Sequence, residues 1–178
     1  QYSGLQRILP RALIKKESHS DLWVRLPNDS EIHVIGLDKP QRHEGQPWHG
    51  GLITEMGDVK KGAWEANIRP LVSDTLGFII LDGVPEGRAN DYYGLAVRAA
   101  GGAIPTTIPG KGVYAENPEF PDWCFFSWFS ADVLTPAEIA AVKIEYDERT
   151  YRQEYEGSFE GEEGRAYYAF GDDNIIPD

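Results

Sequence analysis

Two short apolar runs that each close on acidic residues set the terms for this chain. In residues 48–55, WHGGLITE, two glycines lead into Leu52-Ile53, and the run closes on Thr54 and Glu55. In residues 78–87, Phe78-Ile79-Ile80-Leu81 closes on Asp82-Gly83-Val84-Pro85-Glu86-Gly87. A buried strand that carries one carboxylate at its C-terminal tip is the usual way an open α/β sheet presents a catalytic group. If the two strands lie side by side, Glu55 and the 82–87 turn share one rim of the sheet. That rim is the candidate site.

The 178 residues are enough for one domain with a core, and a hydrophobic content of 41% argues for a folded globule. A formal charge of −12 speaks against a chain that grips DNA or RNA by itself, because such proteins carry a basic face. Lys15-Lys16 and Lys60-Lys61 read as solvated surface. A single cysteine, Cys124, excludes an internal disulfide and fits a reducing compartment. It lies in the apolar run 123–129 and reads as a buried small hydrophobe. No apolar run approaches the ~20 residues of a membrane span, and no signal peptide opens the chain, so the expectation is a soluble, cytoplasmic protein.

Taken in order, residues 1–17 show helical spacing of Leu5, Ile8, Leu9, Ala12 and Leu13, interrupted at Pro10. The pattern opens without a capping signal, as in a chain that has been cut. Alternating residues on either side of Pro27-Asn28-Asp29-Ser30 predict a hairpin. Residues 36–51 read as a polar loop; His43 and His49 with Glu44 lack the spacing of a metal site. Trp64, Ile68, Leu71 and Val72 share a helical face that Pro70 ends, and a second helix is expected from Tyr92 to Ala99. Residues 104–121 read as a long surface loop and 123–129 as an aromatic strand. Thr135-Pro136-Ala137-Glu138 is a helix start, 151–159 a further helical piece, 166–170 a last strand and 171–178 an acidic tail. This order predicts an α/β domain with a largely parallel sheet flanked by helices.

General catalytic patterns are scarce. The chain contains no GxxxxGK[ST], no GxGxxG and no GxSxG, and Cys124 has no evident histidine partner. What remains is Glu55 as a general base beside the 82–87 turn. Four blocks, however, follow one another in a telling order: GLDKPQRHEGQPWHGGLITEM, a tryptophan helix with IRPLVSD, LGFIILDGVPEGRANDYYGLA, and YRQEYEGSF. Together they resemble the ATPase domain of the large terminase subunit, the DNA-packaging motor protein of tailed bacteriophages and prophages, over about residues 2–170.

The resemblance implies a partial P-loop NTPase domain (RecA-like, of the class with an added catalytic glutamate) over residues 1–170. Residues 171–178 would be a tail or the start of a linker. In that pattern an Asp-Glu pair ends the Walker B strand, the Asp holding Mg²⁺ and the Glu polarising the attacking water. Glu55 matches the Glu, and Thr54 stands where the Asp is expected, so the position facing the metal loses a formal charge. The family's coupling turn matches Gly83-Val84-Pro85 with Gly87 and Asn90, although Ala89 intrudes between Arg88 and Asn90. Arg42 and Arg88 are the candidates for phosphate contact, with Glu44-Gly45 where relatives place Arg-Gly. The family's P-loop would precede residues 1–13 and its nuclease domain would follow residue 170, so the chain is expected to be an excised or truncated portion of the motor domain.

For the intact protein the resemblance implies ATP and Mg²⁺ as cofactors. Its implied partners are the portal, the small terminase subunit, double-stranded DNA and other copies of itself, in the cytoplasm of a bacterial host. This chain alone is expected to bind no nucleotide tightly, since the backbone amides and lysine that cradle phosphates are missing from it. Two other readings stand beside this one. The first is a non-catalytic interaction module derived from the motor, indifferent to Glu55→Gln. The second is an aromatic binding protein for sugars or peptides that uses Trp23, Trp48 and Trp64.

Overall fold

Pro10 decides how the chain begins. It lacks an N–H, and its ring disfavours helical backbone at the residue before it. The helical pattern of residues 1–17 therefore stops at α1 (Tyr2–Ile8) and resumes only as a 3₁₀ turn at Arg11–Leu13. The computed structural model describes residues 2–39, 45 and 47–161. It divides into two units, Gln1–Arg42 and His43–Asp178.

In the first unit the expected helix gives way to a strand: β1 (Lys16–Ser18) pairs antiparallel with β2 (Trp23–Arg25). The predicted hairpin is present. β2 pairs with β3 (Glu31–His33), Leu26 N–H donates to the Ser30 carbonyl at 2.8 Å, and Asp29 takes the left-handed conformation. Val24 is fully buried. The Trp23 ring is covered by Lys16 and Arg25, 5.8 and 5.6 Å from its centroid.

Two carboxylates give this unit an acid sensitivity. Hydrogen bonds from Gln6 and Arg11 hold the Glu17 carboxyl below its ordinary pKa, and bonds from Arg25 and His33 do the same for Glu31. A depressed pKa in the folded state means stability that is present above the ordinary glutamate value and is lost as pH falls through the folded one. Acidification from pH 6 to pH 3 is therefore expected to loosen the sheet of the first unit. Amide resonances of residues 16–33, followed by NMR, should lose dispersion over that range, whereas unchanged resonances at pH 3 would show the bonds contribute nothing.

The second unit carries the candidate site. β4 (Gly50–Ile53) and β5 (Phe78–Leu81) pair in parallel, Gly50 opposite Phe78 and Ile53 opposite Leu81. Parallel neighbours need a crossover, which residues 54–77 supply through a π-helical segment (Trp64–Ile68) running into α2 (Arg69–Leu71). Trp64, Ile68 and Val72 are buried, as their shared face requires. Gly77 is obligatory at the re-entry to β5, because a Cβ there would lie 2.7 Å from the His49 carbonyl oxygen.

α3 (Asp91–Ala99) follows β5, and Leu95, Ala96 and Ala99 form its buried face. Next come β6 (Val113–Asn117) and β7 (Phe120–Ser127), an antiparallel hairpin with an irregularity at Glu116/Asn117. Its inner face puts Trp123 edge-on to Trp64 at 5.6 Å and beneath the Arg98 guanidinium at 5.5 Å. α4 (Pro136–Glu145) starts where the sequence predicts, with the Thr135 hydroxyl accepting the Glu138 N–H. α5 (Glu148–Glu156) is capped by Asp147 and closes on left-handed Gly157.

Three expectations need correcting. The fold is mixed α/β, but the sheets are small and not largely parallel: β4–β5 is the parallel pair, while β1–β2, β2–β3 and β6–β7 are antiparallel. Residues 104–121 are not all loop, because the aromatic run of β7 takes β6 as its partner. Nor are β4 and β5 buried throughout. Leu52, Phe78 and Ile80 are 62%, 64% and 55% exposed, since no element among the described residues covers that face of the pair. The strand expected at 166–170 and the tail at 171–178 lie outside the described residues. No described helix is long and apolar enough to cross a membrane.

Candidate functional site

The ladder between β4 and β5 continues past their ends, and that continuation shapes the rim. Asp82 N–H donates to the Ile53 carbonyl at 2.9 Å, and Met56 N–H donates to the Asp82 carbonyl at 3.0 Å. Between these two bonds Thr54 and Glu55 bulge outward, both exposed. Glu55 takes φ 54°, ψ 53°, a left-handed conformation that costs a residue with a Cβ about 1–2 kcal/mol. Met56, directly after it, is fully buried and anchors the strained residue.

Gly83 is the counterpart on β5. Its φ of 151° suits glycine, and a Cβ there would sit 3.0 Å from the Glu55 Cα and 3.1 Å from the Met56 nitrogen. The two strand tips are thus in backbone contact, on one rim, as the sequence predicts. Pro85 is buried. Gly87 is left-handed at φ 71° and faces the Glu160 carbonyl.

Asn90 pins the far end of the turn. Its Nδ2 donates to the Glu86 carbonyl at 2.9 Å, and its Oδ1 accepts the Tyr93 N–H at 3.0 Å as the N-cap of α3. The intruding Ala89 therefore does not displace Asn90 from the turn. Val84 lies half-buried between Gly83 and Pro85.

Arg88 is engaged within the chain. Its Nε donates to the Phe159 carbonyl at 2.9 Å, and its guanidinium lies 5.7 Å from the Tyr93 ring centroid. Arg42, together with His43 and Glu44, lies outside the described residues.

Residues that sequence reasoning did not single out complete the rim. The Tyr92 hydroxyl donates to the Gly83 carbonyl at 3.2 Å. Burial, then the charges of Asp82 and Glu55, push its pKa up to about 12, so it keeps the donated proton at any working pH. Phe159, past the end of α5, is 7% exposed. It meets Tyr92 and Tyr93 edge-on at 5.5 and 5.3 Å. The segment after α5 is in this way fastened to the turn after β5. A signal existed for both residues: the tyrosine pair and the final Phe of YEGSF each stand out, but separately. Their meeting is long-range and has no local pattern.

The rim is acidic. Glu86 has its pKa raised by loss of solvation and then by the neighbouring Asp58, with Glu154 and Glu55 adding to the effect. A group of this kind favours folding below the ordinary glutamate pKa and loses that contribution as pH rises through its folded value. Arranged in this way, the rim presents the Glu55 carboxylate and the Thr54 hydroxyl, both exposed, above a turn locked by Tyr92 and Asn90.

Among the described residues no three His, Cys, Asp or Glu side chains converge as a metal-holding group. The sequence also offers no glycine-rich loop with a lysine for the phosphates.

Burial corrects the tryptophan reading at Trp64, while Trp23 and Trp48 are half-buried. Trp64 is 4% exposed and packed on Trp123, whereas the open indole is Trp128, at 60%. Cys124 is exposed rather than buried, because it alternates onto the outer face of β7.

Comparison with known proteins agrees with the architecture. No family model matches the chain, and no curated protein does. Among solved structures, the chain is similar to that described as the Thermus Phage P74-26 large terminase ATPase domain. The TM-score is 0.61 at 20% identity, covering 88% of this chain and 67% of that one. Over 88% of its length the chain shares the fold of a phage large-terminase ATPase domain.

Proposed function

We propose that this chain is the portion of a terminase-type ATPase domain that carries the water-polarising glutamate, Glu55, and the coupling turn Gly83-Val84-Pro85 with Gly87 and Asn90. One observation carries the reading: a strained, exposed Glu55 at the tip of β4 lies against Gly83 at the tip of β5. Backbone strain that a fold retains at an exposed carboxylate points to a use for that carboxylate. In this reading Glu55 would hold and orient a water, Thr54 would bear on the metal shell in place of an Asp, and Arg42 and Arg88 would be the cations nearest to phosphate. Tyr92 keeps the turn's first carbonyl fixed, so that displacement of the turn is passed to Phe159 and Arg88 rather than lost locally.

The intact motor would use ATP and Mg²⁺ and assemble with portal, small subunit, double-stranded DNA and further copies of itself. At a charge of −12 this portion is not the one that grips DNA. Phosphate binding needs backbone amides and a lysine that these residues lack, so the chain alone should hold Mg²⁺–ATP no more tightly than about millimolar, roughly −4 kcal/mol. Calorimetric titration measures this directly, and micromolar affinity would contradict the reading.

A second reading rests on the exposed Leu52, Phe78 and Ile80. Such a face suits a non-catalytic module that docks onto other motor parts. Glu55→Gln separates the two in the intact protein: it should abolish hydrolysis under the first reading and change nothing under the second.

A further inference from the structure

The outer face of the β6–β7 hairpin is unlike the rest of the second unit. Strand register sets Tyr114 opposite Phe126 and Glu116 opposite Cys124, and all four side chains are exposed. The Tyr114 and Phe126 rings meet at 4.9 Å. Trp128, one step past the strand in the same alternation, is 60% exposed. A shallow groove beside it is lined by Pro109, Gly110, Gly112, Trp128, Ala131 and Asp132. Gly110 and Gly112 present no side chain there, which leaves that edge of the groove low.

Charge on this face is lopsided and partly fixed in place. Asp132 accepts the Gly110 N–H at 2.6 Å through one oxygen and the Phe129 N–H at 3.2 Å through the other. Its carboxylate is thereby held at the groove instead of swinging free. Glu116, Asp122 and Glu119 extend the negative character along the hairpin, with Lys111 just before β6. Aromatic faces bordered by carboxylates attract guanidinium and ammonium groups twice over, through the ring quadrupole and through the charge. They repel nucleic acid and a second copy of a chain as acidic as this one.

We propose that this face docks an extended, arginine-bearing segment of a partner protein, one guanidinium stacking on Trp128 beside Asp132 and apolar side chains covering Tyr114 and Phe126. The surface shares no residue with the Glu55 rim, so the nucleotide reading neither supports it nor falls with it.

The test uses the whole chain and an eight-residue peptide of alternating arginine and proline, with a glutamate–proline peptide of the same length as control. Titration by calorimetry should show saturable binding of the arginine peptide that weakens with salt. The peptide should also slow labelling of Cys124 by an uncharged maleimide, since that thiol lies on the same face and is the chain's single cysteine. Trp128→Ala should lower affinity about tenfold, and Glu116→Gln with Asp122→Asn should reduce the salt dependence, Asp132 accounting for what remains. Both variants alter exposed side chains, and an unchanged circular dichroism spectrum verifies their fold. Equal binding of the glutamate peptide, or affinity unaltered by Trp128→Ala, overturns the proposal. So does saturable binding of a single-stranded oligonucleotide in place of the peptide, or self-association that Trp128→Ala abolishes.

Discussion

Phe159→Ala is expected to cost about 3–5 kcal/mol of stability, the range for emptying a buried aromatic site. The ring is 7% exposed and meets two tyrosines edge-on. Its removal opens a void between Tyr92 and Tyr93, whose rings are held by the Gly83 carbonyl and by the Arg88 guanidinium respectively. The loss should not stay local. Tyr92 loses the packing that aims its hydroxyl at Gly83, so the turn after β5 loosens with the segment after α5. Urea unfolding gives the magnitude, and amide exchange at residues 83–87 shows whether the turn is affected. A loss under 1 kcal/mol would mean that the contact between these segments does not hold the fold.

Gly83→Val is expected to be nearly as severe. A Cβ at this position would approach the Glu55 Cα to 3.0 Å and the Met56 nitrogen to 3.1 Å, both backbone atoms that cannot rotate away. Overpacking of this sort costs about 1–3 kcal/mol, and forcing a branched residue to a φ of 151° adds roughly 1–3 more. The strand tips would have to part, breaking the Met56–Asp82 bond. Thermal unfolding measures the total. Gly87→Ala is a control at a turn glycine whose Cβ would meet the Glu160 carbonyl oxygen at an ordinary 3.4 Å, so that backbone strain dominates and the loss should be smaller.

How far the fold and the site could be read from the residues depended on the range of the forces involved. The parallel pairing of 50–53 with 78–81 was legible because two apolar runs of matching length each end in a polar turn. The helix start at Thr135 was legible because caps act over three residues, whereas the cap at Asn90 was not read from the sequence. The opening helix misled because Leu5, Ile8, Leu9, Ala12 and Leu13 keep helical spacing through a proline that ends the helix. β6 was hidden because Val113–Asn117 has little alternation of its own and is stabilised by cross-strand contact with Phe125 and Phe126. At the site, Glu55 and Gly83 could be named from sequence, but the left-handed backbone of one and the close approach of the other could not. Tyr92 and Phe159 are 67 positions apart, and only folding brings their rings together.

The central claim is that Glu55 is kept at the rim for its carboxylate and not for the fold. Glutamate at φ 54° is strained, and glycine adopts that conformation freely. Urea denaturation of Glu55→Gly against the unaltered chain tests this directly. The account predicts equal stability or a gain of up to about 1 kcal/mol, the relieved strain less the entropy of glycine. A loss of more than about 1 kcal/mol would show that the side chain serves the fold, and would contradict the account.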